Sequence, residues 1–138
     1  MENHFNRIST GDLLQRLSDK QTAIVDVRSV EAYNGWRLRG EQRGGHISGA
    51  RSLPVKWINY LDWIEIVRSK GIFTDHRIVI YGYDEEEALQ VAGFFKTAGY
   101  EDISIYNHFT DEWSANAELP MQKLTRYRHL VSAQWVKK

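Results

Sequence analysis

The stretch Ile78-Val79-Ile80-Tyr81-Gly82-Tyr83-Asp84-Glu85-Glu86-Glu87-Ala88 constrains this chain more than any other. Ile78 to Tyr81 is a short run of β-branched and aromatic residues, the pattern of a strand covered on both faces. Gly82 permits a sharp turn. Asp84 is suited to cap a helix, and Glu87 stands three residues later, where a capping box needs it. Ala88, Val91, Ala92 and Phe95 then recur at helical spacing, and Gly99 supplies a stop. A strand, loop and helix in this order aim backbone N–H groups into the loop, and the helix N-terminus favours an anion there. An anion-handling enzyme would place a nucleophile or a phosphate cradle at that point. This loop holds glycine, tyrosine and then four consecutive carboxylates, Asp84 to Glu87.

The rest of the chain alternates in the same way. Phe5 to Ile8 reads as a first strand, and Ser9 or Thr10 caps a helix with Leu13, Leu14 and Leu17 on one side. Ala23 to Arg28 is a second, nearly continuous apolar strand, and Ser29 caps a short helix through Glu31, Ala32 and Tyr33. Asn34 to Gly45 is irregular, with four glycines, Arg37, Arg39, Arg43, Trp36 and Glu41, and reads as an exposed loop. His46 to Ala50 leads into a short strand near Arg51 to Leu53, which Pro54 ends. A long helix is predicted from about Val55 to Ser69, offering Trp57, Leu61, Ile64 and Val67 to the core, with Gly71 closing it. A last strand runs from Ile103 to Tyr106, and Phe109 and Trp113 follow in a short helical turn. Such alternation predicts an α/β fold, a mostly parallel sheet of about five strands with helices on both faces. Ligands of such sheets sit at the carboxyl ends of the strands, where the loops after Val27, Leu53, Tyr81 and Tyr106 emerge.

Composition closes off several classes of function. Eighteen basic and 18 acidic residues cancel, so the basic excess of a nucleic-acid or anionic-membrane binder is absent. No apolar run approaches the roughly 20 residues of a membrane span. The start, Met1-Glu2-Asn3-His4-Phe5, has neither the basic nor the apolar stretch of a signal peptide, which leaves a cytoplasmic location as the expectation. There is no cysteine, which removes disulfides, thiolate metal sites and thiol nucleophiles together. The serines lack a G-x-S-x-G turn, the histidines lack metal-ligand spacing, and no dinucleotide or Walker-type glycine pattern occurs. No cofactor and no metal is expected.

Several segments, in order, resemble the rhodanese-like domain, the fold of thiosulfate and mercaptopyruvate sulfurtransferases. Ile24-Val25-Asp26-Val27-Arg28 resembles the family's DVR strand. Tyr33, followed by Gly45-His46-Ile47-Ser48-Gly49-Ala50, resembles its YxxGHIxGA segment with serine where proline is common. Gly99-Tyr100, Ile103 to Tyr106, Phe109 and Glu112-Trp113 look like its closing segment. The similarity runs from about Ile8 to Pro120. It implies that the family's persulfide cysteine, which follows the central strand, is replaced here by Gly82. The resemblance also implies a precedent, the N-terminal domains of tandem sulfurtransferases, which keep the fold and lack the nucleophile. Leu130 to Val136 resembles the opening of a second such domain, so residues 1–128 are expected to form the domain and 129–138 a tail that starts another. The function implied is a catalytically inactive, structural or regulatory part of a thiosulfate-type sulfurtransferase whose cysteine lies in another domain. The alternative is a free-standing protein-binding module on the same fold. The partners expected are a neighbouring catalytic domain or another protein, not nucleic acid or a membrane.

The candidate site is therefore a degenerate loop, Gly82, Tyr83, Asp84, Glu85, Glu86 and Glu87, with no catalytic residue in it. Its carboxylates would repel thiosulfate or a persulfide. They read better as an acidic first helical turn than as a metal site, because consecutive helical residues diverge. Arg37, Arg39 and Arg43 are candidate contacts for a partner or an anion, against the plainer expectation of solvated loop arginines. His46 is expected to shape the fold, and Asp26 and Arg28 to form a structural pair or to bind loop backbone. Trp36 in the loop and Trp135 in the tail are the tryptophans placed to meet a partner.

Overall fold

In a computed structural model of the chain, described for residues 5–60 and 62–123, the central strand lies where its sequence places it. The tail segment from Leu130 to Val136, Trp135 and Leu61 lie outside the described residues. Strands β1 (Asn6–Arg7), β2 (Thr22–Asp26), β4 (Arg51–Ser52), β5 (Arg77–Tyr81) and β6 (Ile103–Tyr106) form one sheet in the order β1-β6-β5-β2-β4. Every pairing in it is parallel, with Ile24 opposite Val79 and Ile80 opposite Ile105. The five strands are those expected from the sequence, and β5 lies at the centre.

The three inner strands, β2, β5 and β6, are buried on both faces, and their alternate residues feed two separate cores. Ala23, Val25, Ile78, Ile80, Ile103 and Ile105 face one core. It is covered by α3 (Trp63–Ser69) and α4 (Glu85–Thr97), from which Val67, Val91 and Phe95 enter fully buried. Ile24, Val79, Tyr81 and Tyr106 face the other, covered by α1 (Thr10–Arg16) and by a π-helical turn, Phe109–Trp113. Helix α2 (Val30–Asn34) follows β2, and Tyr33 packs against this second core. Continuous apolar strands are what burial on both sides demands. The caps also form as expected: Ser9 Oγ accepts from the Asp12 amide at 3.1 Å and Ser29 Oγ from the Ala32 amide at 3.2 Å.

Three expectations need correction. The long helix from Val55 to Ser69 is two pieces, a 3-10 helix (Val55–Asn59) and α3, separated at Tyr60 with ψ near 138°. In a continuous helix at 100° per residue, Ile58 and Trp63 would point about 140° apart. The break turns both toward the same core, where Trp63 is buried and Ile58 packs on it. In α1, Leu13 is fully buried, whereas its neighbour Leu14 is 42% exposed, because adjacent helical residues cannot share a narrow face. The third concerns the Asn34–Gly45 segment: it is not a wholly exposed loop, since Glu41 within it is buried at 1% exposure. A feature absent from the sequence expectations is the antiparallel pair of β3 (His46–Ile47) with β7 (Met121–Gln122). Two-residue strands carry no periodicity for a sequence pattern to show.

Candidate functional site

The loops after β2, β4, β5 and β6 lie at the carboxyl edge of the sheet, and one buried arginine in the loop after β2, Arg28, meets Tyr83 after β5 and Phe109 after β6. Arg28 is 2% exposed. Its Nε donates to Asp26 Oδ1 at 3.0 Å, and its Nη2 donates to Asp26 Oδ2 and to the Gly45 carbonyl, each at 2.6 Å. Nη1 reaches Glu41 Oε2 at 3.3 Å, and the guanidinium lies 4.3 Å from the centre of the Phe109 ring. The Asp26–Arg28 pair is thus present, fork to fork and without solvent. Burial by itself would ease the proton off Arg28, and the Asp26 carboxylate more than reverses that effect. The Tyr81 hydroxyl donates to Asp26 Oδ2 at 2.7 Å and accepts from the Ile47 amide at 3.0 Å, so β5, β2 and β3 share one polar knot. Burial raises the Tyr81 phenol well above its usual range, with Asp26 adding to the effect.

Gly82 follows directly and is buried. A β-carbon built on it would lie 2.8 Å from Val27 Cγ2, a distance real β-carbons do not tolerate. Val27 is itself 1% exposed and β-branched, so it has little freedom to withdraw. The loop then presents Tyr83, whose hydroxyl donates to Glu41 Oε2 and whose ring lies 5.1 Å from both the Arg28 and the Arg39 guanidinium carbons. Burial and the bond to Glu41 push the Tyr83 phenol up to about 12.

The four carboxylates separate in space. Asp84 Oδ1 accepts from the Glu87 amide at 3.1 Å and caps α4. Glu85 pairs with Arg7 at the end of β1. Glu86 is exposed, and Glu87 turns into a cleft beside Tyr83. Partial burial, then the charge of Asp84, hold the Glu87 carboxyl above the usual range, while Arg39 opposes them. The acidic run behaves as a helical first turn does, with consecutive side chains sent to different neighbours.

The three loop arginines also diverge. Arg37 Nη1 donates to the Gln42 carbonyl at 3.0 Å. Arg43 is spent on main chain, donating to the carbonyls of Trp113 at 2.8 Å, Ser114 at 3.0 Å and Asn116 at 2.7 Å. Only Arg39 reaches the Gly82 loop. His46 stacks on Tyr33 at 3.7 Å and its Nδ1 lies 2.8 Å from the Tyr33 carbonyl. Burial holds its pKa below the ordinary value, as suits a ring that shapes the fold.

The sequence did not single out Glu41 or Tyr81, which complete the buried knot. The one signal for Glu41 was a lone carboxylate among three arginines. Among the described residues, His108, Asp111 and Glu112 bring ligand atoms within 4.8 Å of one another on the exposed π-turn. The Glu112 carboxylate there accepts from the Thr10 hydroxyl. No helix among the described residues is long and apolar enough to cross a membrane.

Chemically, the edge offers a cleft of about 260 Å³ bounded by Val27, Leu38, Arg39, Val55, Tyr83 and Glu87, among others. It can bind. It presents no thiol, and sulfur transfer through a persulfide begins with a thiolate.

The family model described as the rhodanese-like domain matches residues 9–116. A Haloferax volcanii protein named as a candidate thiosulfate sulfurtransferase is 26% identical over 129 residues, an alignment taking in 81% of this chain and 44% of that protein. Among solved structures, EanB in complex with hercynine is 43% identical with a TM-score of 0.88, over 95% of this chain and 32% of that one. EanB with ergothioneine covalently linked to a persulfide cysteine is 47% identical with a TM-score of 0.89, over 96% of this chain and 31% of that one. The chain therefore spans about a third of these solved chains and under half of the curated relative.

Proposed function

Since this chain belongs to the rhodanese-like domain family, we propose that it is a non-catalytic domain of a sulfurtransferase whose persulfide cysteine lies in another domain. The observation that carries the proposal is the state of the central loop. The resemblance assigns the nucleophile to Gly82, where Val27 already occupies the space a side chain would enter. The charges around that position point the same way, because Asp84, Glu86 and Glu87 would raise the cost of holding a dianion or a persulfide in the loop. The role left to the domain is structural or regulatory. A relative three times as long has room for a catalytic domain beside a region like this one.

The test is sulfur transfer from thiosulfate to cyanide by the isolated 138-residue chain. No rate above the uncatalysed background is expected. A thiosulfate-dependent rate that scales with protein concentration would remove the proposal.

A further inference from the structure

His108, Asp111 and Glu112 stand together on the π-helical turn that follows β6, outside the Gly82 loop. Positions i, i+3 and i+4 are neighbours on a helical surface, and a single histidine among them makes no pattern that stands out in the sequence. His108 Nδ1 lies 3.4 Å from Asp111 Oδ2 and 3.5 Å from Glu112 Oε2. A charge-assisted hydrogen bond from a ring nitrogen to a carboxylate closes to about 2.7–2.9 Å, so neither contact is a tight ion pair. Ligands held at about 2.0–2.2 Å around a tetrahedral ion stand about 3.3–3.6 Å apart, the spacing of both these contacts. One ligand atom from each residue lies within 4.8 Å of the others, so closing the third edge asks only for a movement of exposed side chains.

The charges favour a cation. Asp111 and Glu112 are both exposed, and among the described residues His108 is the one basic side chain paired with either. Glu112 is also held from behind. Its Oε1 accepts from the Thr10 hydroxyl at the start of α1, while Oε2 is the oxygen turned to His108. The Tyr106 hydroxyl lies 2.6 Å from Thr10 Oγ and donates to the His108 carbonyl at 3.1 Å. Carboxylates that ligate metals are oriented by hydrogen-bonding neighbours of this kind.

We propose that His108, Asp111 and Glu112 form a binding site for one divalent transition-metal ion of the zinc class, with Thr10 positioning Glu112. An imidazole beside two carboxylates suits zinc better than magnesium or calcium, which take oxygen ligands. Three protein ligands on an open surface leave a coordination position to water. Through Thr10 the ion would tie the first turn of α1 to the turn after β6. The proposal stands whether or not the chain transfers sulfur.

The experiment is a calorimetric titration of the 138-residue chain with zinc chloride at neutral pH, with the histidine ring nitrogens followed by NMR. One site should account for the tightest binding, and the His108 ring should shift with it. Thr10→Val should weaken zinc by about tenfold or more, and His108→Gln, Asp111→Asn and Glu112→Gln each by more than that. His76→Gln, on another loop, should leave the affinity unchanged. Asp111→Asn and Glu112→Gln keep side-chain size, so lost binding with an unaltered circular dichroism spectrum reports the ligands and not the fold. No zinc binding, binding that survives His108→Gln, or magnesium bound as tightly as zinc would overturn the site. Unchanged affinity in Thr10→Val would overturn the part given to Thr10.

Discussion

Val27 Cγ2 lies 2.8 Å from the point where a β-carbon on Gly82 would stand, so the side chain closing β2 fills the place of a side chain closing β5. The two strands run in parallel register, Asp26 opposite Tyr81, and that register sets Val27 against Gly82. Reinstating the family's cysteine therefore requires more than one substitution. Gly82→Cys should destabilise the domain by about 1–3 kcal/mol, the usual cost of overpacking. It should gain little thiosulfate-dependent sulfur as measured by cyanolysis. Val27→Ala in the same background should recover part of the stability in a denaturant titration. A single Gly82→Cys variant as stable as the parent and readily persulfidated would show that the loop yields more easily than its packing implies.

The Arg28 knot should be the most sensitive polar site. Arg28→Met leaves Asp26 and Glu41 buried without their cation. Breaking a buried ion pair from one side costs roughly 3–5 kcal/mol. Urea unfolding should show a loss of this size, and Glu41→Gln a smaller one because the Asp26 fork survives. Equal losses for the two would mean that the Glu41 contact matters as much as the fork.

His46 gives the domain an acid-side weakness. Its folded-state pKa lies below the ordinary 6.5, chiefly through burial. The unfolded chain then binds the proton more readily, so this contribution is complete above about pH 6.5. It is lost as the pH falls from there through the lowered folded value. His46→Gln should flatten the dependence of the urea midpoint across this window, while neighbouring carboxylates continue to act at lower pH. An unchanged slope would assign the acid sensitivity to other groups.

The cap on α4 is a smaller, separable contribution. Asp84→Ala removes the bond to the Glu87 amide. It should cost about 1 kcal/mol, while Asp84→Asn should cost only a few tenths. Thermal denaturation of the two variants distinguishes capping from charge. If both lose stability alike, the negative charge near the helix N-terminus matters more than the hydrogen bond.

Much of the fold was legible because its signals are local. Ile78 to Tyr81 and Ala23 to Val27 read as doubly covered strands since all of their residues but Asp26 are apolar, and both prove to be interior strands of the sheet. Ser9, Ser29 and Asp84 read as caps since an oxygen at that position meets an amide three residues on. The break at Tyr60 was hidden because the Val55–Ser69 stretch contains no glycine or proline after Pro54. The core imposes that break, asking for Ile58 and Trp63 on one side.

The site divides along the same line. By itself the sequence determined the alternation of strands and helices, the absence of a thiol, and a glycine followed by four carboxylates after the central strand. Those are properties of single residues and of short-range spacing, which a linear pattern carries. The tertiary structure alone decided that Val27 fills the space over Gly82, that Glu41 is drawn in to Arg28 and Tyr83, and that Arg39 rather than Arg37 or Arg43 reaches the loop. Each of these joins residues far apart in the chain through side-chain direction and burial, and neither is fixed until the strands have found their register and the loops have closed over them.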